Sequence, residues 1–148
     1  MFLSPLLLSV ALMLPTLAGE AVREGSIAAQ DMKGFEMSLY RGKYYSQKYD
    51  VCRQAIMWKE SRYNYRAANS TSSARGAYQF LDKSWRRGLT FMFVKESKRT
   101  GDGLISEARA LRETPIHQWS RYWQDRAFFT AYNHGSGAHH WNPLPIGC

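Results

Sequence analysis

The sequence predicts a single, mainly α-helical domain, and three observations support this prediction. The chain has 148 residues, enough for one hydrophobic core but not for two. Hydrophobic residues make up 45% of the chain and aromatic residues 14%, a composition that excludes a disordered tail. After residue 46, hydrophobic residues recur at spacings of three and four, and no segment alternates convincingly between hydrophobic and polar residues.

The first 18 residues predict a cleaved signal peptide. They contain no charged residue, and they end in the small-x-small pattern TLA at 16–18, which suits signal peptidase cleavage before Gly19. Because the usual positively charged start is missing, a short uncleaved membrane anchor is the alternative, which Pro5, Pro15 and the marginal length argue against. We therefore expect an exported protein, periplasmic or extracellular at the cell wall, without a stable membrane span after cleavage.

Residues 19–46 show no sustained period and carry Gly25, Gly34 and Gly42. They predict an irregular lead-in, partly ordered against the domain that follows at 47–148. The net charge of +8 lies entirely outside the signal segment and favours polyanionic partners. The cations are scattered, so an ordinary solvated surface is an equal interpretation. Export argues against nucleic acid, and no clearly amphipathic basic helix supports action on anionic membranes.

The first helix is predicted over about 47–62. Tyr49, Cys52, Ile56 and Glu60 share one face of it, while Arg53, Lys59 and Arg62 lie off that face. Glu60 therefore lies on the hydrophobic stripe near the C-terminus of the helix. Buried acids are rare unless they are paired or functional, so Glu60 is the candidate catalytic group.

Three more helices are predicted, with a loop of turn-forming residues at 64–75 before them. The second helix begins near Asp82, expected as its N-cap, and a turn at 100–103 ends it. The third covers about 104–113. The fourth begins at Thr114-Pro115, an N-cap followed by proline, and ends in the AYNHGSG stretch at 131–137. Its tryptophans, Trp119 and Trp123, are expected in the core rather than on a glycan-binding surface.

Two cysteines, Cys52 and Cys148, remain after the signal segment. An even number of cysteines in an exported protein favours a disulfide, although two free thiols stay open as the alternative. Four histidines, at 117, 134, 139 and 140, match no established zinc spacing, and no nearby acid or cysteine completes a metal site. We therefore expect neither a metal nor another cofactor.

Three motifs in order resemble the lytic transglycosylase domain. They are Glu60-Ser61 closing a helix, GAYQF at 76–80, and AYNHGSG at 131–137. The resemblance covers residues 47–142 and implies a lysozyme-like helical domain, related to goose-type lysozyme, with a glycan-binding groove. The sequence departs from the usual pattern at Ala77-Tyr78, where Leu-Met is common.

The resemblance also implies roles for individual residues. Glu60 corresponds to the catalytic acid, and Ser61 to the serine that helps to stabilise the reacting sugar. The remaining expected substrate-binding residues are Gln79 on the groove wall, Tyr78 as a surface that stacks on a sugar, Tyr132 approaching the acid, and Asn133. Taken singly, an exposed amide, a core aromatic and a helix C-cap are the ordinary interpretations of Gln79, Tyr132 and Asn133.

A glycosidase acid must stay protonated near neutral pH, and burial of a carboxyl group raises its pKa. Activity should therefore fall above neutrality, as Glu60 ionises. Most glycosidases add a second carboxylate, but Asp82, the first acid in the region between the second and third motifs, is better explained as a helix cap. The resemblance implies that one acid is sufficient, because the muramic acid 6-hydroxyl attacks the anomeric carbon and forms a 1,6-anhydro product.

These observations predict a monomeric enzyme that cleaves the MurNAc–GlcNAc β-1,4 bond of peptidoglycan glycan strands. A hydrolytic muramidase of the same fold and a non-catalytic wall-binding module are the alternatives. The small size suits an accessory enzyme of a secretion, conjugation or phage apparatus, and equally an enzyme of wall turnover.

Overall fold

The protein is mainly α-helical. The computed structural model describes residues 36–148, so the predicted signal peptide and the first part of the lead-in lie outside the described residues. The helices and strands of the described part are α1 (Asp50–Ser61), β1 (Ala74–Arg75), β2 (Phe80–Leu81), α2 (Asp82–Thr100), α3 (Ile105–Ala110) and α4 (Arg121–Tyr132). Short 3₁₀ turns connect or extend them at Gln47–Tyr49, Leu111–Glu113, Ile116–Gln118, Asn133–Gly135 and Ala138–Trp141.

Helix α4 is the centre of the core. Every residue from 121 to 130 is buried, so this helix is enclosed on all sides rather than amphipathic. Trp119 and Trp123 are 2% and 3% exposed and pack against Phe93 of α2, which confirms their predicted place in the core. Arg126 is also fully buried, and it pairs with Glu96 at 3.1 Å.

The predicted helices agree with α1, α2 and α3 to within a few residues, but the predicted start of the fourth helix is wrong. Residues 116–118 form a 3₁₀ turn, and α4 begins only at Arg121, after Ser120 in extended conformation. Trp119 interrupts the helix because it is extended and buried, with its indole N–H donating to the Thr114 carbonyl at 2.8 Å. Burial of this large side chain outweighs the local start signal at Thr114-Pro115.

Asp82 is not the N-cap of α2, contrary to prediction. It is the first residue of the helix, and Leu81 occupies the cap position. The Asp82 carboxylate accepts a hydrogen bond from the Ile116 backbone N–H at 2.9 Å and pairs with Arg86 at 3.1 Å. It therefore fixes the start of α2 to the 3₁₀ turn before α4.

A two-stranded antiparallel hairpin, for which the sequence shows no strand pattern, encloses the second motif. Ala74 pairs with Leu81 and Arg75 with Phe80, so residues 76–79 form its turn. Strands of two residues are too short for an alternating pattern to be visible in the sequence.

The described end of the lead-in, residues 36–46, contains neither helix nor strand. Tyr40 nevertheless is 1% exposed, and its hydroxyl donates to Glu96 at 2.8 Å. No helix within residues 36–148 is long and apolar enough to cross a membrane.

Candidate active site

Glu60 lies in the last turn of α1, which ends at Ser61 and is followed by Arg62 in left-handed conformation. The Glu60 side chain is 25% exposed, while Cys52 and Ile56 on the same face are buried. Burial raises the pKa of Glu60, and the ammonium group of Lys59, 3.9 Å away, opposes this effect without cancelling it. Glu60 is therefore a half-buried acid biased towards its protonated form.

Within residues 36–148, no second carboxylate is among the causes of the raised pKa of Glu60. Among the described residues, the charged group that affects its pKa is Lys59. A glycosidase of the usual two-acid kind places its carboxyl groups about 5–10 Å apart, close enough for each to affect the other. The described residues around Glu60 therefore give no electrostatic sign of a second acid.

Ser61 joins the end of α1 to the hairpin. Its hydroxyl donates to the Ala77 carbonyl oxygen at 2.8 Å and accepts from the Asn64 backbone N–H at 3.1 Å. Because Ser61 follows Glu60 directly, these bonds fix the direction in which the helix presents the acid. The first two sequence motifs therefore meet in space.

The turn of the hairpin depends on Gly76. Its φ is +79°, and a Cβ atom would lie 2.4 Å from Oε1 of Gln124 in α4. That oxygen accepts the backbone N–H of Ala77 at 2.9 Å. A side chain at Gly76 would displace this contact, so the glycine is required both by the backbone and by the close approach of α4.

Gln79 ends the turn and is half-buried, with a positive φ of 52°. Its side-chain amide donates to the Gly76 carbonyl at 3.0 Å. This bond orients the amide group across the turn, on the hairpin to which Ser61 is bonded. The structure therefore brings Glu60, Ser61 and Gln79 to the same end of α1.

Tyr78 does not present a surface for a sugar, and the expectation that it stacks on one is wrong. Its side chain is 1% exposed and lies against Phe128. The hydroxyl donates to the Asp125 carboxylate and accepts from Arg53 at 2.8 Å. An aromatic residue next to a site motif favours a binding surface, but the polar partners of Tyr78 in the core hold it inside.

The buried polar network around Tyr78 was not predicted. Arg53, expected off the buried face of α1, is 0% exposed and pairs with Asp50 at 2.8 Å and Asp125 at 3.2 Å. Tyr65 also donates to Asp125, at 2.7 Å. The spacing of Asp50 and Arg53 on one helix is the signal that could have indicated a pair.

Tyr132 is buried and does not approach Glu60 as expected. Its ring stacks on Phe128, and its hydroxyl lies 3.5 Å from Sγ of Cys52. Glu60 lies about 12 Å further along the axis of α1 than Cys52. Tyr132 is therefore a packing residue at the disulfide, and neither its pKa nor that of Glu60 is affected by the other residue.

The predicted disulfide is confirmed. Cys52 and Cys148 are bonded, with their Cα atoms 4.4 Å apart. The bridge fixes the C-terminus to the helix that carries Glu60. Lys59 adds a second connection, since its ammonium group donates to the carbonyl groups of Trp141 and Pro143.

Asn133 is the left-handed C-cap of α4, and its side chain is exposed. It lines a cavity of about 400 Å³ together with Trp85, Met92, His139 and His140. We call this space the Asn133 cavity. Glu60 does not line this cavity; the two are linked through Trp141, which follows His140 and whose carbonyl group accepts a hydrogen bond from Lys59.

The histidines show no arrangement for a metal. Within the described part of the chain, no group of three or more histidine, cysteine or acidic side chains could hold a metal ion. His140 instead packs edge-on against Trp85, with the ring centroids 4.6 Å apart.

Comparison with known proteins identifies no relative: no protein-family model, curated protein or solved structure matches the chain significantly.

Proposed function

We propose that this protein is an exported peptidoglycan lytic transglycosylase with a lysozyme-like helical domain. The observation that supports the proposal best is Glu60, a half-buried acid whose pKa is raised and is affected by no other carboxylate of the described part of the chain. The bond from Ser61 to the hairpin of Gln79 adds the expected neighbours of such an acid. The glycan would lie across this end of α1.

In the proposed reaction, Glu60 first acts as general acid. Its proton passes to the oxygen that bridges MurNAc and GlcNAc, and the bond between that oxygen and the anomeric carbon breaks. The carbonyl oxygen of the MurNAc N-acetyl group attacks the anomeric carbon from within the substrate. The raised pKa of Glu60 favours the protonated form that this step requires.

Glu60 then acts as general base. Its carboxylate removes the proton from the 6-hydroxyl group of the same MurNAc, and the 6-oxygen displaces the N-acetyl oxygen from the anomeric carbon. The product is a 1,6-anhydromuramic acid end, and Glu60 is again protonated. Lys59, 3.9 Å away, stabilises the carboxylate between the two steps.

The disulfide between Cys52 and Cys148 supports a periplasmic or extracellular location, because disulfides persist in oxidising compartments. The substrate would be the glycan strands of the cell wall. A secretion, conjugation or phage apparatus that opens the wall locally is the proposed setting, and a monomer is the proposed state.

A suspension of purified cell wall tests the catalytic part of the proposal. The wild type should reduce its turbidity, and Glu60→Gln should bind the wall without clearing it. The loss of a general acid reduces a rate by about 10²–10⁴-fold. Binding without clearing by the wild type would instead indicate a wall-binding module.

A further inference from the structure

A strongly basic groove lies on the face of α2 that meets α3. It encloses about 900 Å³, and its lining residues include Arg87, Lys98, Arg109, Arg112, Phe91 and Val94. All four cations are exposed, and none of its lining residues is acidic. We call this space the basic groove.

The four cations of the basic groove have no counter-charge among the described residues. Within residues 36–148, none of them forms an ion pair or a side-chain hydrogen bond with another residue. Glu107 and Glu113, the acids close in sequence to Arg109 and Arg112, do not line the groove. Four like charges around one concave surface repel one another, and an anionic ligand removes that repulsion.

Hydrophobic surface accompanies these charges. Phe91 is 67% exposed, an unusual state for a phenylalanine, and Val94 is partly exposed on the same face of α2. A ligand that fits the groove therefore carries both anionic and small apolar groups. A short acidic peptide has this composition.

The basic groove adjoins the Asn133 cavity. Ser84 and Gly88 of α2 line both spaces, so these two residues form the ridge between them. An extended ligand in the Asn133 cavity can reach the basic groove across this ridge.

Gly88 keeps that ridge low. It lies inside a helix of 19 residues, where glycine is among the least favourable residues. Packing does not require it, since a Cβ atom there would have no neighbour within 4 Å, and its φ is not positive. The absence of a side chain at Gly88 therefore leaves the surface between the two spaces open.

We propose that the basic groove binds the acidic peptide stems of a glycan strand that occupies the Asn133 cavity, with the stem crossing α2 at Gly88. This proposal rests on the proposed function, because it takes peptidoglycan as the ligand. The guanidinium groups of Arg87, Arg109 and Arg112 can each form two parallel hydrogen bonds with a carboxylate of the stem. The methyl groups of the stem lie against Phe91.

Glycan fragments with and without their stems test the proposal. Both forms are titrated against protein carrying Glu60→Gln, which prevents cleavage during the measurement. In this background the groove variant replaces Arg87, Lys98, Arg109 and Arg112 with glutamine. A control variant makes the same change in net charge at exposed cations outside the groove, Lys48, Arg66, Lys83 and Lys95.

The groove variant should bind the stem-bearing fragment about tenfold more weakly and the stem-free fragment unchanged. The control variant should bind both as the parent does. The proposal is overturned if the groove variant loses affinity equally for both fragments, or if the groove and control variants lose affinity equally for the stem-bearing fragment. It is also overturned by a groove variant that loses affinity for an oligonucleotide but not for the stems, because the groove would then bind a phosphodiester polymer.

Gly88→Leu tests the passage over α2. Open space surrounds Gly88, so the variant should fold with an equal or higher melting temperature and bind the stem-bearing fragment about tenfold more weakly. Unchanged affinity for that fragment would show that the stem does not cross at Gly88.

Failure of this proposal is distinguishable from failure of the proposed function. If the wild type binds stems through the groove but leaves the glycan intact, the groove proposal stands and the proposed enzymatic activity is contradicted. If the wild type cleaves glycan with no preference for stems, and the groove variant binds the stem-bearing fragment as tightly as its parent, the enzymatic activity stands and the groove proposal is contradicted.

Discussion

Glu60 and Lys59 together set the proton affinity of the candidate site. Burial of the carboxyl group raises its pKa, and the neighbouring ammonium group lowers it. Lys59 is held in place by the Trp141 and Pro143 carbonyls, so it cannot simply swing into solvent. The acid is therefore biased towards protonation but can still ionise during a reaction cycle.

Lys59→Met should move the alkaline limit of activity to higher pH. Removing the cation disfavours the carboxylate form, so the pKa of Glu60 rises and the acid stays protonated further into the alkaline range. The pH dependence of wall clearing measures this shift. Lys95→Met is the control, because Lys95 is exposed on α2 and does not affect Glu60. An unchanged or lowered limit for Lys59→Met would contradict the assignment of Glu60 as the acid.

Glu60→Gln should be more stable than the wild type at neutral pH. Because the pKa of Glu60 is raised on folding, the folded state binds more protons, and the wild type loses stability as pH rises through that pKa. The difference should vanish below about pH 3, where glutamate is protonated in both states. Urea unfolding across this pH range measures it. A variant that is less stable at neutral pH would show that the Lys59 contact outweighs burial.

Single residues differ in how well the sequence predicts them. Cys52 and Cys148 were predictable, since an even number of cysteines in an exported chain favours pairing. The place of Glu60 on a mostly buried helix face followed from helical spacing alone. Tyr78 and Arg53 were not predictable, because their burial depends on Asp125, a partner distant in sequence.

At the scale of elements, α1, α2 and α3 follow from local periodicity, and α4 does not. A helix enclosed on all sides has no polar face, so only its length and its caps indicate its limits. The start signal at Thr114-Pro115 is real as a local preference, but Trp119 gains more by entering the core than by continuing a helix.

The hairpin of the second motif should depend on the hydroxyl group of Tyr78. Tyr78→Phe leaves Asp125 and Arg53 with one partner fewer in the core, and it should cost about 1–3 kcal/mol of unfolding free energy. Urea denaturation measures the loss. Tyr44→Phe is the matched control, because the Tyr44 side chain donates no hydrogen bond to another described residue. Equal stability of the two variants would mean that the network contributes little.

At the scale of the whole molecule, the C-terminal segment is fixed to the helix of the acid at two places. The disulfide joins residues 96 positions apart, and Lys59 binds the carbonyl groups of the same segment. Trp141 adds a third contact, since its indole N–H donates to the Tyr78 carbonyl at 3.0 Å. The disulfide was predictable from the even number of cysteines, but the contacts of Lys59 and Trp141 were not, because the segment is irregular and has no period.

Cys148→Ser should destabilise the protein substantially. In the chain-entropy model, loss of a loop of this length costs about 4–5 kcal/mol. Thermal unfolding with and without reductant measures the effect: reductant should lower the melting temperature of the wild type and leave that of the variant unchanged. If reductant leaves the melting temperature of the wild type unchanged, the bridge adds no stability.

The products released from purified peptidoglycan decide between intramolecular attack and hydrolysis. If Glu60 acts alone with the substrate's 6-hydroxyl group, mass spectrometry should find 1,6-anhydromuramic acid ends, lighter by one water, with no heavy oxygen incorporated from labelled water. Reducing ends that carry the label would contradict this mechanism and establish a hydrolytic muramidase.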